Sequence, residues 1–479
     1  MKLSKLASSG IKWASVSQVS KQVIQYVTTI IFVSLLEPTD FGLIAMAMVV
    51  IGFLEIFKDL GTSSAIIHLT ETSKELLSSI FYVNIFFGLF ISTMILIFSP
   101  LISEFYNNSN LISILNVLTI SFFLSSLSIV QKSLLEKELS FNKISMIEVF
   151  SGFVGAISGI FLAFYNYGVW SLVFQSIINN LLLSLLFWIN CNWKPSLLFK
   201  FKSIVTIVKY SSNLIGYNIF NYFVRNVDYL LIGKYLGDKE LGYYYIAYKI
   251  MLYPVSNISV VISRVMFPIY SKIKDDLPRF RDIYLKIGNS IALITFPLML
   301  LLFGANDLVA EVFFGKSWNF DLIAKLILIL APVGLVQSIA STTGSIYQAT
   351  GKTDWMFRWG ILSGIVYVSG FFIGIQYGVI GVALSYLVTT FLLLYPVFSI
   401  PFKIISLKFL TFIRSFVKIF IAAAVMIIII YLLKYLIIGN IQSVLKLSII
   451  FTIAVLTYSS IIFLIFKNQI LEIVTILKS

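Results

Sequence analysis

The heptapeptide LEPTDFG at residues 36–42 returns as LGDKELG at residues 236–242, an offset of 200 residues. A second pair of related segments, YNYGVWSL at 165–172 and IQYGVIGV at 375–382, recurs at an offset of 210 residues. Recurrence at a nearly constant distance indicates that one structural unit is used twice in the chain. Each copy of this unit contains six long apolar runs.

Composition places the chain among membrane proteins. Of its 479 residues, 59% are hydrophobic and 12% are charged, and the mean hydropathy is +0.97. A soluble domain is typically about 25% charged. A helix satisfies its own backbone hydrogen bonds in lipid, and the sequence lacks the long alternation typical of a membrane β-barrel. We therefore expect an all-α polytopic membrane protein.

Apolar runs of about 20 residues or more, separated by polar and turn-forming residues, predict about fourteen membrane-spanning helices. Their approximate ranges are 12–36, 40–66, 77–103, 110–131, 143–165, 168–190, 206–236, 241–270, 283–313, 320–350, 354–376, 379–402, 411–437 and 443–466. We assign the first twelve to two six-helix bundles, residues 1–198 and 199–405, and the last two to an additional pair in residues 406–479. Since six is even, both bundles enter the membrane from one face. Parallel repeats of this kind are related by a pseudo-two-fold axis along the membrane normal and bind substrate between the halves.

The basic residues are distributed unequally between the two faces that these spans create. Twenty-five lysines and arginines fall on the face that carries both termini, and five fall on the other. Because cytoplasmic loops are enriched in lysine and arginine, both termini are predicted to lie in the cytoplasm. The net charge of +14 is therefore an orientation signal, and no nucleic-acid partner is expected.

Two of the predicted helices carry a polar stripe within otherwise apolar sequence. In the seventh span, residues spaced by 3, 4 and 3 share one helix face: Asn218, Asn221, Arg225 and Asp228. The positions 200 residues earlier, in the first span, are also polar: Gln18, Lys21, Gln25 and Thr28. A charge near the bilayer centre costs about 2.5–3.5 kcal/mol, so we expect both stripes to face a shared polar cavity. Alternatively, Arg225 and Asp228 pair within their own helix, and the amides join neighbouring helices.

Further cationic and aromatic residues are candidates for lining the same cavity. Lys249 and Arg264 either face the cavity or extend to the membrane surface as anchors. Tyr248 and Tyr253 lie deep enough in the eighth span to stack on a sugar. Tyr243–Tyr245, at the start of that span, are expected to form an interfacial aromatic belt.

Two carboxylates also fall inside predicted spans, those of Glu55 and Asp228. An ionisable group within the membrane is a functional hypothesis by default, because its burial is costly. Both residues are therefore candidates for binding the proton or sodium ion that would drive transport.

Signatures of enzymes are missing from the sequence. It has no P-loop motif for nucleotide hydrolysis. A single histidine, His68, argues against a zinc site, and the single cysteine, Cys191, excludes an intramolecular disulfide. We expect neither catalysis nor a bound metal or cofactor.

Residues 10–67 begin with a long helix flecked with polar residues, continue with LLEPTDFG and include DLG at 59–61. Together with the repeated six-helix unit and the added pair, this combination resembles the polysaccharide-transporter branch of the multidrug/oligosaccharidyl-lipid/polysaccharide exporter superfamily. These are the Wzx-type flippases of O-antigen, colanic acid and teichuronic acid pathways, and the resemblance covers essentially the whole chain. It implies a transporter of the bacterial plasma membrane that moves undecaprenyl-pyrophosphate-linked oligosaccharides from the cytoplasmic to the outer leaflet by alternating access. Its product would enter O-antigen, capsule or exopolysaccharide biosynthesis.

This resemblance implies roles for the polar residues. Lys21 and Arg225 would neutralise the diphosphate. Sugar hydroxyls would be bound by four amides, those of Gln18, Gln25, Asn218 and Asn221. The last two spans would form a groove for the polyprenyl tail, as in the related lipid II flippase. Energy would come from the membrane potential or from a proton or sodium gradient, and a glycan polymerase and a chain-length regulator are expected partners.

Two other functions stay open on the sequence alone. The same superfamily contains cation-coupled multidrug exporters, for which an acidic cavity would be favoured. Protection of cells against cationic dyes, with surface glycan intact in a deletion strain, would identify such an exporter. A non-transporting scaffold of the glycan assembly machinery would tolerate Arg225→Ala and Lys21→Ala without loss of glycan export.

Overall fold

The computed structural model describes residues 2–57, 62–68, 73–197, 219–259, 266, 269–436 and 442–478. All regular structure in these residues is helical, which confirms the predicted all-α class. The chain divides into two compact units. The first unit comprises residues 1–242 with 315–317, and the second comprises residues 243–314 with 318–479.

The first unit is built from long helices joined by short connections. Its described helices are α1 (Lys2–Leu35), α2 (Pro38–Glu55), α3 (Thr62–His68), α4 (Lys74–Tyr106), α5 (Asn110–Ser126), α6 (Ile129–Lys137), α7 (Phe141–Phe164), α8 (Val169–Asn190) and α9 (219–235). The predicted second span, 40–66, is divided, because α2 ends at Glu55 and α3 begins at Thr62. The next helix, α10 (Gly237–Pro254), begins in the first unit and continues in the second from Tyr243.

The second unit continues from α10 through a π-helical turn at Val255–Ser259. The turn follows Pro254, whose missing backbone N–H interrupts the regular helical ladder. The remaining described helices are α11 (269–272), α12 (Leu277–Gly304), α13 (Asn306–Phe313), α14 (Phe320–Ala340), α15 (Thr343–Ala349), α16 (Thr353–Gly374), α17 (Gly378–Leu392), α18 (Leu394–Ile404), α19 (Phe409–Leu436) and α20 (Ser443–Lys478).

Membrane-spanning character is distributed over both units. Within the described ranges, ten helical stretches are long and apolar enough to cross a membrane. One of them, Thr353–Ile404, is 52 residues long and includes the eleventh and twelfth predicted spans. The first predicted span is helical as part of α1, although its polar residues lower its hydropathy. The chain is a multi-pass membrane protein, and the count of fourteen spans stays a prediction.

The motif LEPTDFG forms the start of α2. Pro38 occupies the first turn, where a missing N–H costs nothing. The Asp40 carboxylate accepts the backbone N–H of Glu37 at 3.0 Å and also that of Val169 at the start of α8. Gly168 adopts a φ of +55°, and a Cβ there would lie 2.9 Å from Asp40 Oδ1. One side chain of the motif thus caps its own helix and ties it to α8.

The two copies of the heptapeptide pack on each other within the first unit. A Cβ added to Gly42 would lie 1.8 Å from the backbone oxygen of Asp238, and one added to Gly242 would lie 1.8 Å from the backbone oxygen of Pro38. The contact is reciprocal, because an offset of 200 residues converts one pair into the other. Asn108 Nδ2 also donates to Asp238 Oδ2 at 2.8 Å. The starts of α2 and α10 therefore cross backbone against backbone, which only glycine permits.

Within the second unit, an aromatic core packs α19 against α18. Phe412 is 1% exposed, and its ring centroid lies 4.7 Å from that of Phe398 and 4.8 Å from that of Phe402. Farther along α19, Lys434 Nζ donates to Asp307 Oδ1 at 2.6 Å. On α20, the Tyr458 hydroxyl donates to a backbone oxygen of α12 at 2.9 Å. The last two helices are thus tied to α12, α13 and α18.

Candidate functional site

Two lysines of the first unit share one carboxylate. Lys21 Nζ on α1 donates to Glu148 Oε2 on α7 at 2.6 Å, and Lys132 Nζ on α6 donates to Glu148 Oε1 at 2.9 Å. The exposed fractions of the side chains are 19% for Glu148, 38% for Lys21 and 42% for Lys132. One carboxylate balances only one ammonium group, so this cluster, which we call the lysine pair, carries one excess positive charge. Both lysines remain accessible to an anion.

The lysine pair lies toward the N-terminal end of α7. Glu148 is seven residues from the start of this helix at Phe141, a rise of about 10 Å at 1.5 Å per residue. The helix α1 has 34 residues and is therefore about 51 Å long, whereas the hydrocarbon core of a bilayer is about 30 Å thick. Position 21 can consequently lie near one membrane face although it is well inside α1.

The other members of the α1 stripe have different surroundings. Gln18 and Gln25 are exposed, whereas Thr28 is buried. The exposed amides keep their hydrogen-bonding groups accessible on the same helix as Lys21. Their assignment to sugar hydroxyls stays a prediction.

The α9 stripe is described from its second member onward, because Asn218 lies outside the described residues. Asn221 is half-buried, Arg225 is exposed and Asp228 is buried. The Asp228 Oδ1 atom accepts the backbone N–H of Tyr229 at 2.9 Å. Both stripes belong to the first unit, and the cavity that they were expected to share stays a prediction.

Lys249 lies between aromatic rings in the second unit. Its Nζ atom is 5.6 Å from the ring centroid of Tyr245 and 5.9 Å from that of Tyr253. Ammonium groups are attracted to ring faces within about 6 Å. No carboxylate of the described residues pairs with Lys249. The structure thus brings two predicted site residues together, and Arg264, the other cation expected nearby, lies outside the described residues.

Tyr248 belongs to a row of stacked rings. Its ring centroid lies 6.0 Å from that of Tyr244 and 6.0 Å from that of Tyr386 on α17, with interplanar angles of 22° and 18°. The Tyr386 hydroxyl accepts a hydrogen bond from Gln337 Nε2. Tyr248 is half-buried, and its stacking on a sugar stays a prediction.

The expectation of an interfacial belt at the start of α10 is wrong for two of its three tyrosines. Tyr243 is 2% exposed and Tyr244 is fully buried. The Tyr243 hydroxyl accepts the backbone N–H of Asn319 at 2.9 Å, and its ring meets that of Trp318 edge to face at 5.3 Å. Both rings are buried in the second unit. Tyr243 is held there by contacts with Trp318 and Asn319, which are distant in the sequence.

The two predicted ion-coupling residues differ in burial. Asp228 is buried and Glu55 is exposed at the end of α2. Glu55 lines a cavity of about 80 Å³ together with residues of α5 and α8. In the described part of the chain, no group of three or more histidine, cysteine, aspartate or glutamate side chains could hold a metal ion.

The sequence of this chain matches a family of known proteins. A family model described as polysaccharide biosynthesis protein matches residues 31–322. The chain belongs to this family. The match includes the LEPTDFG motif and continues through α9 to the start of α14, so the family resemblance expected from the sequence is confirmed.

Polysaccharide biosynthesis proteins of two bacteria are similar over most of this chain. The teichuronic acid biosynthesis protein TuaB of Bacillus subtilis (strain 168) is 27% identical over 381 residues, which are 78% of each chain. The lipopolysaccharide biosynthesis protein WzxC of Escherichia coli (strain K12) is 27% identical over 390 residues, covering 81% of this chain and 79% of WzxC. Among solved structures, the lipid II flippase MurJ in an inward closed conformation superposes with a TM-score of 0.76 at 17% identity. That superposition covers 96% of this chain and 100% of MurJ. The family member therefore shares the fold of MurJ.

In this family member, the two partners of Lys21 in the lysine pair could not be recognised from the sequence. Glu148 and Lys132 lie 127 and 111 positions from Lys21, and no local pattern connects them. The close contact of Gly42 and Gly242, each with the other copy of the heptapeptide, did have a signal in the sequence, because both glycines stand at matching positions of the repeat. Conservation of glycine in both copies was the signal that could have revealed a close backbone crossing.

Proposed function

We propose that the protein is a flippase for lipid-linked oligosaccharides, a transporter rather than an enzyme. Its substrate would be an undecaprenyl-diphosphate-linked repeat unit, moved from the cytoplasmic to the outer leaflet of the bacterial plasma membrane. Membership of the polysaccharide biosynthesis family, the names of TuaB and WzxC and the fold of MurJ support this function. The pathway served would be that of a surface or secreted polysaccharide.

The lysine pair is the observation that carries the proposal. Lys21 and Lys132 compete for one carboxylate, so an incoming diphosphate can replace Glu148 as their counter-ion. Charge-assisted hydrogen bonds from ammonium groups to phosphate oxygens are roughly twice as strong as neutral ones. Because Glu148 would lie beside the lysines before loading and after release, it would balance one of their two charges in both states.

Lys249 supplies a second cationic element. Its aromatic partners Tyr245 and Tyr253 attract the ammonium group without neutralising its charge. A phosphate oxygen or an acidic sugar can therefore bind it without displacing a carboxylate. Arg225, which is exposed on α9, completes the proposed set of cations.

Orientation and organisation complete the proposal. Both termini would face the cytoplasm, in accord with the excess of basic residues on that face. The start of α7, and with it the lysine pair, would then lie near the cytoplasmic leaflet, where the substrate is made. The proposed architecture has fourteen spans, with bundles at residues 1–198 and 199–405 and an additional pair at 406–479. A polymerase and a chain-length regulator would receive the product.

The membrane potential provides a drive for this direction of movement. Moving one elementary charge through 100 mV yields about 2.3 kcal/mol. A diphosphate that leaves a negative interior would gain this energy for each uncompensated charge. Cations bound at Glu55 or Asp228 would supply a further drive if their gradient were coupled to transport.

Transport by the full-length protein in sealed vesicles tests the proposal. The substrate is an undecaprenyl-diphosphate oligosaccharide with a fluorescent group on the sugar, and the readout is its loss of accessibility to an impermeant quencher. We expect Lys21→Gln with Lys132→Gln to slow transport by about tenfold or more, since a hydrogen bond to a charged group contributes about 1.5–3 kcal/mol. The matched control is Lys286→Gln, because Lys286 forms an exposed pair with Asp282 on α12.

Three results would overturn the proposal. The first is an unchanged rate in a correctly folded double variant. The second is efflux of cationic dyes by vesicles that fail to move the lipid-linked oligosaccharide, which would identify a multidrug exporter. Retained glycan export in cells that carry the double variant would indicate a scaffold.

A further inference from the structure

A groove runs along the surface of the first unit between α1 and α7. It has a volume of about 450 Å³, and we call it the serine groove because its polar lining consists of Ser17, Ser20 and Ser145. The other lining residues are apolar or aromatic: Trp13, Val16, Ile24, Met146, Val149, Phe150 and Phe153. Its rim is exposed at Val16, Met146, Phe150 and Phe153. In a multi-pass membrane protein, such a groove opens toward lipid.

The hydroxyl of Ser17 is a buried donor without an acceptor. Ser17 is 4% exposed, and its Oγ atom has no hydrogen-bond partner among the described residues. A serine within a helix commonly donates to the carbonyl four residues earlier, which here is that of Trp13. Ser145 of α7 already donates to this oxygen at 3.0 Å. Because burying a hydroxyl without a hydrogen bond is costly, an acceptor on a molecule in the groove would stabilise Ser17.

The position of Ser17 along α1 matches that of a lipid ester. Tryptophan is enriched at the membrane–water interface, and Trp13 lies at one end of the serine groove. Ser17 is four residues farther along α1, a rise of about 6 Å. The polar layer on each side of the hydrocarbon core is about 5–8 Å thick. With Trp13 at the headgroup level, Ser17 lies at the inner boundary of this layer, where the ester carbonyls of a glycerophospholipid lie.

Charge and hydrogen bonding distinguish between the lipids that could fill the serine groove. None of the ten described residues that line it is charged, so the groove offers no counter-ion for a phosphate. The isoprenoid tail of a polyprenyl lipid has no hydrogen-bond acceptor and would leave the Ser17 hydroxyl unsatisfied. An ester carbonyl accepts a hydrogen bond from a hydroxyl, and the acyl chain attached to it would contact the apolar walls formed by Ile24, Val149 and Phe153.

We propose that the serine groove binds one glycerophospholipid, with an ester carbonyl at Ser17 and an acyl chain between α1 and α7. This lipid would be a resident of the surrounding membrane rather than the transported molecule, and its binding does not depend on the proposed flippase function. Ser17 and Ile24 lie four residues before and three residues after Lys21. The bound lipid would therefore brace α1 against α7 at the level of the contact between Lys21 and Glu148.

Quenching of Trp13 fluorescence by phosphatidylcholine with brominated acyl chains tests the site in the purified full-length protein. Bromine quenches tryptophan only at close contact. The chain has seven tryptophans, so the Trp13 signal is the difference between the wild type and Trp13→Phe. In detergent micelles, we expect this signal to saturate at a lipid fraction about tenfold below that needed to quench the other tryptophans, which corresponds to tighter binding by the same factor.

Competition between two unbrominated lipids tests the hydrogen bond. A diether phosphatidylcholine has the same headgroup and chain lengths as the diester lipid but lacks the ester carbonyls. We expect it to compete about twofold to tenfold more weakly in the wild type, the range that one neutral hydrogen bond provides. In Ser17→Ala, both lipids should compete equally.

Two further variants control for folding and for the shape of the groove. Ser34→Ala on the same helix is the matched control, because the Ser34 hydroxyl donates to the backbone oxygen of Ile31 at 2.8 Å. It should retain the preference for the diester lipid. Ser20→Phe places a ring in the serine groove and should abolish saturable quenching. Thermal unfolding in lipid-free detergent shows that each variant is folded, and Ser17→Ala should not lower the midpoint there, since it removes an unpaired hydroxyl.

Several outcomes would overturn the phospholipid site. Quenching of Trp13 that does not saturate would show only ordinary bilayer contact, and equal competition by the diester and diether lipids in the wild type would remove the hydrogen bond. Stronger competition by undecaprenyl phosphate than by the phospholipid would assign the groove to a polyprenyl tail. Absence of Trp13 quenching in a protein that sediments as a dimer would assign it to a second copy of the chain.

Discussion

Gly42 packs against the backbone carbonyl of Asp238 so closely that a Cβ would lie 1.8 Å from its oxygen. Gly242 has the same relationship to Pro38. Two helix starts that are 200 residues apart in the chain are thereby joined by direct backbone packing. Because the contact leaves no room for side chains, it makes the distance between α2 and α10 sensitive to single methyl groups.

Substitution Gly42→Ala is expected to destabilise the protein. The added methyl group must displace backbone atoms, and overpacking of this kind costs about 1–3 kcal/mol. The measurement is the thermal unfolding midpoint of the purified variant. The control is Gly152→Ala in α7, where an added Cβ has no neighbour within 4 Å and the higher helix propensity of alanine stabilises by up to about 1 kcal/mol. Equal midpoints of Gly42→Ala and the wild type would contradict the close crossing.

Substitution Glu148→Gln should separate stability from anion binding. It leaves Lys21 and Lys132 adjacent without their shared carboxylate, so the free energy of unfolding should fall by about 1 kcal/mol, a value reduced for their partial exposure. Binding of inorganic pyrophosphate should tighten, because the competing carboxylate has been removed. Calorimetric titration with pyrophosphate and thermal unfolding measure the two effects.

The control for this variant is Asp282→Asn, which breaks an exposed pair with Lys286. Neither the unfolding midpoint nor pyrophosphate binding should change in the control. Weaker pyrophosphate binding by Glu148→Gln would show that the carboxylate positions the lysines rather than competing for them.

The single cysteine should label slowly at neutral pH. Burial raises the pKa of the Cys191 thiol just beyond the end of α8, partly offset by a hydrogen bond from the backbone of Trp193. The thiolate is the reactive form, so a raised pKa lowers its fraction at a given pH. Below that pKa, each added pH unit should accelerate maleimide labelling about tenfold. Labelling in detergent-unfolded protein is the control, and fast neutral labelling of the folded protein would contradict the buried thiol.

The helical class and the positions of most helices could be predicted because hydropathy is a local property of the sequence. The apolar runs located helices such as α4, α7 and α12. The expectation for Tyr243 and Tyr244 was wrong, since a tyrosine at a helix start is equally compatible with a membrane interface and a packed interior. Trp318 and Asn319, which are more than 70 positions away, decided between them.

The candidate site was predicted less completely. Lys21 was identified by its place in a polar stripe, but its partners Glu148 and Lys132 were not, because ion pairing depends on the distance between helices. Lys249 and Tyr253 were both identified as candidates, and their spacing of four residues places them on one helix face. The structure adds Tyr245, whose ring also lies within 6 Å of the Lys249 ammonium group. Glu55 was identified as an acid within a predicted span, and the structure places it, exposed, at the end of α2 beside a cavity of about 80 Å³.

By itself, the sequence determined the membrane class, the positions of most helices and the glycine pair at matching points of its repeat. These depend on the transfer of side chains into lipid and on backbone preferences, which act within a few residues. The tertiary structure alone decided that two lysines share Glu148 and that Tyr243 and Tyr244 are buried in the second unit. Such relationships arise only when folding sets ångström-scale distances between groups that are far apart along the chain.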